Sequence, residues 1–194
     1  MTREEQILEA ATKLFSERSF DGVGVDAIAK ESGITGSAIY RHFTSKDEIL
    51  SVLFDRATDA LLVRIGRPLA DPRDELRRLV DAHIEFSLSM DRLASIWARE
   101  QRALSDAHRR NHLRRQRQYT DRWIDCLNAC YPGHLREDLA ATVRAMHGLI
   151  TSDITRPRRT ARPSHLAELL ASLAFAALDS LQSTAPRPAA TPAG

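Results

Sequence analysis

The chain has 194 residues, 43% hydrophobic and 28% charged, with 28 Lys and Arg against 26 Asp and Glu for a formal net charge of +2. That length allows one large or two small domains with an adequate core, while the near-neutral balance is not by itself a nucleic-acid signature. Two cysteines are too few for a disulfide framework, no apolar run is long enough to span a bilayer, and the N-terminus lacks an apolar core of the signal-peptide type, so a cytoplasmic location is expected.

Thr2-Arg3-Glu4-Glu5 is a capping box, and Ile7, Leu8, Ala11, Leu14 and Phe15 follow at helical spacing, which predicts an amphipathic helix in need of a partner. Phe20, Asp21, Gly22 and Gly24 break the pattern. Val25, Ile28 and Ala29 resume it, with Asp26 near the helix N-terminus and Gly33 at the left-handed position that ends the helix.

Thr35 is the expected N-cap of a further helix whose apolar face is Ile39 and Phe43. Turning through about 100° per residue, Ser37 and Arg41 then point away from that face, flanked by Ala38 and Tyr40, and Gly36 leaves the backbone open to a partner. Ser45-Lys46-Asp47-Glu48 is a second capping box, expected to hold Lys46 beside free backbone N–H groups where a DNA phosphate would settle. Three helices with a fourth leaving them have the shape of a helix-turn-helix domain.

From Asp47 onward the pattern is helical throughout. Ile49, Leu50, Leu53, Phe54, Ala57, Leu61 and Leu62 continue one helix out of the first domain, to about Gly66. Asp71-Pro72 caps and opens a helix through Leu76, Leu79, Val80, His83, Phe86 and Met90. A shorter helix covers residues 93–104, and a long one runs over 106–130 along Leu113, Thr120, Trp123, Ile124 and Leu127 until Pro132-Gly133 stops it. Leu139, Val143, Met146, His147 and Ile150 form the next stripe. The last helix, residues 164–182, is apolar over much of its circumference, which predicts burial on more than one side. Residues 156–163 read as an exposed loop and residues 184–194, rich in Pro and Ala, as a disordered tail.

The segments ILEAATKLF, the Ile28-Ala29 pair, SGITGSAIYRHF and SKDEIL, between Ile7 and Leu50, resemble the N-terminal DNA-binding domain of the TetR family of bacterial transcriptional regulators. Gly24 departs from the Thr or Ser usual in that family at the second helix's N-cap, a change that costs only tenths of a kcal/mol. The resemblance implies an all-α chain. A three-helix helix-turn-helix domain over residues 1–46 would precede a larger helical ligand-binding and dimerisation domain over 47–183. It implies that Thr35, Gly36, Ser37 and Arg41 approach base edges, and that Tyr40, His42, Thr44 and Lys46 hold phosphates.

The expected activity is ligand-responsive transcriptional regulation, with release from a near-palindromic duplex operator by a small apolar or amphipathic effector and a homodimer formed through the last two helices. Phe86, Met90, Trp97, Tyr119 and Trp123 are candidates for the effector-pocket wall, and Arg99 and Arg102 for its polar mouth. WAREQRAL and RRQRQYTDRW resemble relatives that respond to fatty acyl-coenzyme A, although Arg109, Arg110, Arg114, Arg115 and Arg117 equally suit a solvated helix face. An α-helical enzyme or lipid carrier with an N-terminal protein-interaction module is the alternative, a structural adaptor a third. Cys126, Cys130 and His134 are interrupted by Pro132-Gly133 and His108 and His112 lack a zinc hydrolase's Glu, so both histidines are expected to be solvated and no metal or cofactor is expected.

Overall fold

A computed structural model describes residues 1–156 and 160–182, and all its regular structure is helical. The elements run α1 (Arg3–Glu17), α2 (Val25–Glu31), α3 (Gly36–Ile39), α4 (Lys46–Ile65), α5 (Pro72–Ser89), α6 (Asp91–Glu100), α7 (Asp106–Cys130), α8 (Arg136–Ile150) and α9 (Leu166–Asp179). Short 3₁₀ turns follow α6, α8 and α9. Among the described residues no helix is long and apolar enough to cross a membrane.

The caps lie where the local chemistry puts them. Thr2 Oγ1 accepts from the Glu5 N–H at 3.2 Å while the Glu5 carboxylate accepts from the Thr2 N–H at 2.6 Å. Asp71 Oδ1 accepts from the N–H groups of Arg73 and Asp74, opening α5 with Pro72 in its first turn. The last helix is shorter than its composition suggests: α9 ends at Asp179, and 3₁₀ geometry carries the chain on to Gln182. Residues 160–163 are exposed as expected, whereas 157–159 and the tail at 184–194 lie outside the described residues.

The chain divides into two compact units, Met1–Arg64 with Glu85–Tyr119, and Ile65–Ile84 with the segment from Thr120 onward. In the first, Ile7, Leu8, Ala11, Phe15, Ile28, Ile39, Phe43, Ile49, Leu50 and Phe54 are buried. Polar links tie its ends together. The Arg99 guanidinium donates to the carbonyls of Phe15 and Ser16 at 3.2 Å each, satisfying the C-terminal end of α1. Asp47 accepts from the Ser105 N–H at 2.8 Å and meets His108 Nδ1 at 2.5 Å. Burial alone would raise the Asp47 carboxyl's pKa, but these partners outweigh it and hold the group below its ordinary value.

In the second unit Glu75 is buried and accepts from the Leu69 N–H at 2.9 Å, from Arg78 at 2.6 Å and from Arg122 at 2.6 Å. Arg122 also donates to the carbonyls of Ile65 and Gly66, so one carboxylate and one guanidinium organise the turn between α4 and α5. His83 and His147 stack with ring centroids 4.2 Å apart, and the Trp123 ring stands edge-on to both. The helices α8 and α9 pack together, with Leu139, Val143, Met146 and Ile150 buried on the first and Leu166, Leu170, Ala174 and Leu178 on the second. Beside that stripe, α9 leaves Leu169 41% and Leu173 48% exposed.

Candidate nucleic-acid interface

The turn between α2 and α3 is built by Gly33. At φ +69° it places its own N–H on the Lys30 carbonyl at 3.2 Å and the following Ile34 N–H on the Ala29 carbonyl at 3.0 Å, the paired closure of a Schellman motif. A β-carbon at that φ would be strained, so this glycine sets the angle at which the next helix departs. Gly24 caps α2 by its backbone alone, with no side-chain hydrogen bond.

Helix α3 is a single turn. Thr35 is its N-cap in extended geometry, but the hydroxyl lies 3.1 Å from Ser37 Oγ rather than on a backbone N–H. Ile39 and Phe43 are buried and anchor the segment, and the Phe43 N–H still reaches the Ile39 carbonyl at 3.0 Å, continuing helical geometry past Tyr40. Thr35, Ser37, Tyr40, Arg41, His42 and Thr44 are all exposed, Tyr40 at 58%. Gly36 has a second reason to be glycine: a β-carbon there would stand 2.7 Å from Asp26 Oδ1. That oxygen ends an exposed, flexible side chain, so a β-carbon here would require the Asp26 carboxylate to shift.

Two residues of this surface are engaged within the protein. Thr44 directs its N–H and its hydroxyl to Glu48 Oε2, each at 2.6 Å, so the Glu48 carboxylate reaches back to Thr44 while its own N–H caps on Ser45 Oγ at 3.0 Å. Lys46 donates to the carbonyls of Phe20 at 2.8 Å and Val23 at 3.0 Å, and its ammonium lies 4.0 Å from the centroid of the Phe20 ring. It is half-buried and closes the loop between α1 and α2. The outward side chains of this surface are thus Thr35 and Ser37, bonded to each other, with Tyr40, Arg41 and His42, a hydrogen-bonding and cationic set on a turn fixed by Gly33.

The proposed pocket residues are divided. Phe86, Met90, Trp97, Tyr119, Arg99 and Arg102 belong to the first unit, Trp123 to the second. Phe86 and Trp97 meet edge-on at 6.4 Å. Arg99 is spent on the carbonyls of α1 and Arg102 is exposed. Arg115 pairs with Asp55 at 2.8 Å and with Asp59, and Arg109 with Asp106, so the basic run of α7 is partly internal.

Three expectations are corrected. Leu113 is 39% exposed and does not join the α7 core stripe. His108 is half-buried on Asp47. His112 is 2% exposed, enclosed by Phe54 at 5.0 Å and Trp97 at 4.9 Å between ring centroids. Cys126 donates to the Pro72 carbonyl at 3.3 Å with its thiol pushed up to about 12 by burial, and His134 Nε2 lies 2.9 Å from the Leu181 carbonyl, so these groups are used separately.

Two family descriptions match the chain: "Bacterial regulatory proteins, tetR family" over residues 7–53, and "Tetracyclin repressor-like, C-terminal domain" over 69–176. The HTH-type transcriptional repressor KstR2 of Mycobacterium tuberculosis is 30% identical over 143 residues, covering 71% of this chain and 72% of that protein. The HTH-type transcriptional activator FasR of Mycolicibacterium smegmatis is 33% identical over 87 residues, 43% of this chain, and the match spans only 40% of FasR. The crystal structure of PfmR, a TetR family transcriptional regulator from Thermus thermophilus, superposes with a TM-score of 0.72 at 26% identity, covering 93% of this chain and 99% of that one.

Proposed function

The chain belongs to the TetR family of bacterial regulatory proteins, and from that premise we propose that it is a one-component repressor whose α2–turn–α3 segment docks on a near-palindromic DNA operator. The observation that carries the reading is the pairing of buried Ile39 and Phe43 with exposed Ser37, Tyr40 and Arg41 on a turn locked by Gly33. A short rod held from behind can place side chains on base edges with little conformational entropy left to lose. Thr35, Gly36, Ser37 and Arg41 would read bases, and Tyr40 and His42 would hold phosphates, with Thr44 and Lys46 supporting the surface from their internal bonds.

Functionally the division falls near residue 46: residues 1–46 bind DNA and 47–183 bind effector and partner. The exposed Leu169 and Leu173 edge of α9 supports a two-fold dimer through α8 and α9, which would set two reading turns about 34 Å apart along the duplex. Repression, rather than activation, is favoured by the longer match to KstR2 than to FasR. A small apolar or amphipathic effector, with a fatty acyl-coenzyme A among the candidates, would favour a conformer whose reading turns no longer fit the half-sites. Ligand and DNA then weaken one another reciprocally. Family descriptions of regulators over both parts of the chain weigh against an enzyme or lipid carrier.

Capture of sheared genomic DNA from the source organism tests the proposal. The folded dimer should enrich a small set of fragments sharing a two-fold symmetric motif, and Arg41→Ala should lose them; a folded sample that enriches nothing over background refutes the reading.

A further inference from the structure

The first unit buries a histidine ring that its described surroundings do not satisfy. His112 on α7 is 2% exposed, and among the described residues neither ring nitrogen has a hydrogen-bond partner. Around it stand Phe54 of α4 at 5.0 Å and Trp97 of α6 at 4.9 Å, with Phe54 and Trp97 6.0 Å apart and Phe86 of α5 edge-on to Trp97. Leucine or phenylalanine would fill such an enclosure without desolvating two nitrogens, so the histidine carries a cost that packing alone does not explain. Trp97 is only half-buried, unlike Phe54 and Phe86, which makes it the wall nearest to solvent.

Burial lowers the His112 pKa, and the neighbouring Asp55 carboxylate, itself paired with Arg115, opposes this without reversing it. The ring is therefore neutral near pH 7, with one N–H to donate and one lone pair to accept. A neutral ring in an aromatic enclosure suits an uncharged oxygen and gives a carboxylate no counter-charge.

We propose that His112 is the polar contact of the effector site, holding the carbonyl or hydroxyl oxygen of an otherwise apolar molecule that enters on the half-buried Trp97 side and parts the contacting rings of Phe54, Phe86 and Trp97. This rests on the ligand-responsive reading above and adds to it the chemical class of the ligand and the residue that selects it. Apolar walls with one well-placed polar group are the common construction of small-molecule sites. A carbonyl could arrive on a free ketone or on a thioester, and the test separates the two.

The probes are tetralin, 1-tetralone, tetralin-1-carboxylate, hexanoyl-coenzyme A and free coenzyme A, titrated into the full chain and into His112→Phe and His112→Leu variants. For 1-tetralone the substitutions should weaken binding about tenfold, the loss of one buried hydrogen bond, and should leave tetralin unaffected. In the wild type, the ¹⁵N resonances of the His112 ring should move with 1-tetralone and not with tetralin or the carboxylate. The same movement with hexanoyl-coenzyme A but not coenzyme A assigns a thioester as a source. Equal effects of the substitutions on ketone and hydrocarbon, a ring that responds to neither carbonyl, or no binding by any probe overturns the proposal. The ring measurement needs no variant to fold, and DNA binding by the same sample reports separately on whether the regulator reading stands.

Discussion

The Lys46 ammonium donates to the Phe20 carbonyl at 2.8 Å while standing 4.0 Å from the centroid of that residue's ring, so one cation closes the loop before α2 by two different contacts. A lysine at the start of α4 looks like a phosphate ligand, yet its side chain runs back into the protein. Lys46→Ala should cost about 1–2 kcal/mol of stability through the lost charged hydrogen bonds, and should weaken DNA binding by loosening α2. The salt dependence distinguishes the roles: a brace leaves the slope of log affinity against log salt unchanged, whereas a lost phosphate contact reduces it by about 1. Titrations at several salt concentrations read this directly.

Arg41 is exposed, and its side chain bonds to no other residue of the turn among the described residues. Arg41→Ala should therefore leave the melting temperature unchanged while lowering operator affinity by about 1–3 kcal/mol. Fluorescence anisotropy with the selected fragment measures it. Unchanged affinity would remove Arg41 from the reading surface.

Much of this was legible in the sequence, and the failures share a cause. The capping box at Thr2, the left-handed Gly33 and the Ile39/Phe43 stripe depend on neighbours within about one or two helical turns, and each is found as local rules require. Lys46, His108 and His112 depend on partners distant in the chain: Lys46 on carbonyls 23 and 26 residues away, His108 on Asp47 of α4, His112 on rings of α4 and α6. Periodicity reports which face of a helix is apolar, but it cannot say that a polar residue on that helix will be covered. Gly36 shows the same limit, because its close approach to Asp26 joins two helices whose angle is set by the turn.

His147 is held down to about 4 by burial, and burial chiefly, with the neighbouring His147, depresses His83 as well. The unfolded chain binds protons on these rings from about pH 6.5 downward, whereas the folded chain resists until its own lower pKa. Stability is therefore full above pH 6.5 and falls as pH drops toward 4, by on the order of 3 kcal/mol for His147 alone. His147→Phe should flatten this part of the curve. Thermal melts across that window check it, and a melting temperature independent of pH between 6.5 and 4 would contradict the buried neutral pair.

Glu75 is the carboxylate counterpart in the same unit. Burial alone would raise its pKa, but the Leu69 N–H, Arg122 and Arg78 hold it below its ordinary value. A depressed carboxylate contributes stability that is present above its unfolded pKa and lost as pH falls through the folded one, so this loss begins only below about pH 4.5. Glu75→Gln should cost roughly 3 kcal/mol at neutral pH by leaving Arg122 with a neutral partner. Chemical denaturation at pH 7 gives the value; a cost within error of zero would show that the Arg122 bonds to the Ile65 and Gly66 carbonyls suffice.

The exposed edge of α9 gives a further outcome. Leu173→Arg places a charge where the proposed dimer buries a leucine and should yield a folded monomer by light scattering, with operator affinity reduced at least tenfold through the loss of the second half-site. A dimer that survives the change would move the interface elsewhere.

The central claim, that the surface carried by α3 and the residues up to Phe43 lies along duplex DNA, is tested most directly by the salt dependence of wild-type binding to the selected fragment. The account predicts tight binding at low ionic strength and a linear fall of log affinity with log salt whose slope, about 0.9 per phosphate engaged, corresponds to several contacts. Affinity indifferent to salt, or no binding by the folded protein at the lowest ionic strength, would contradict it.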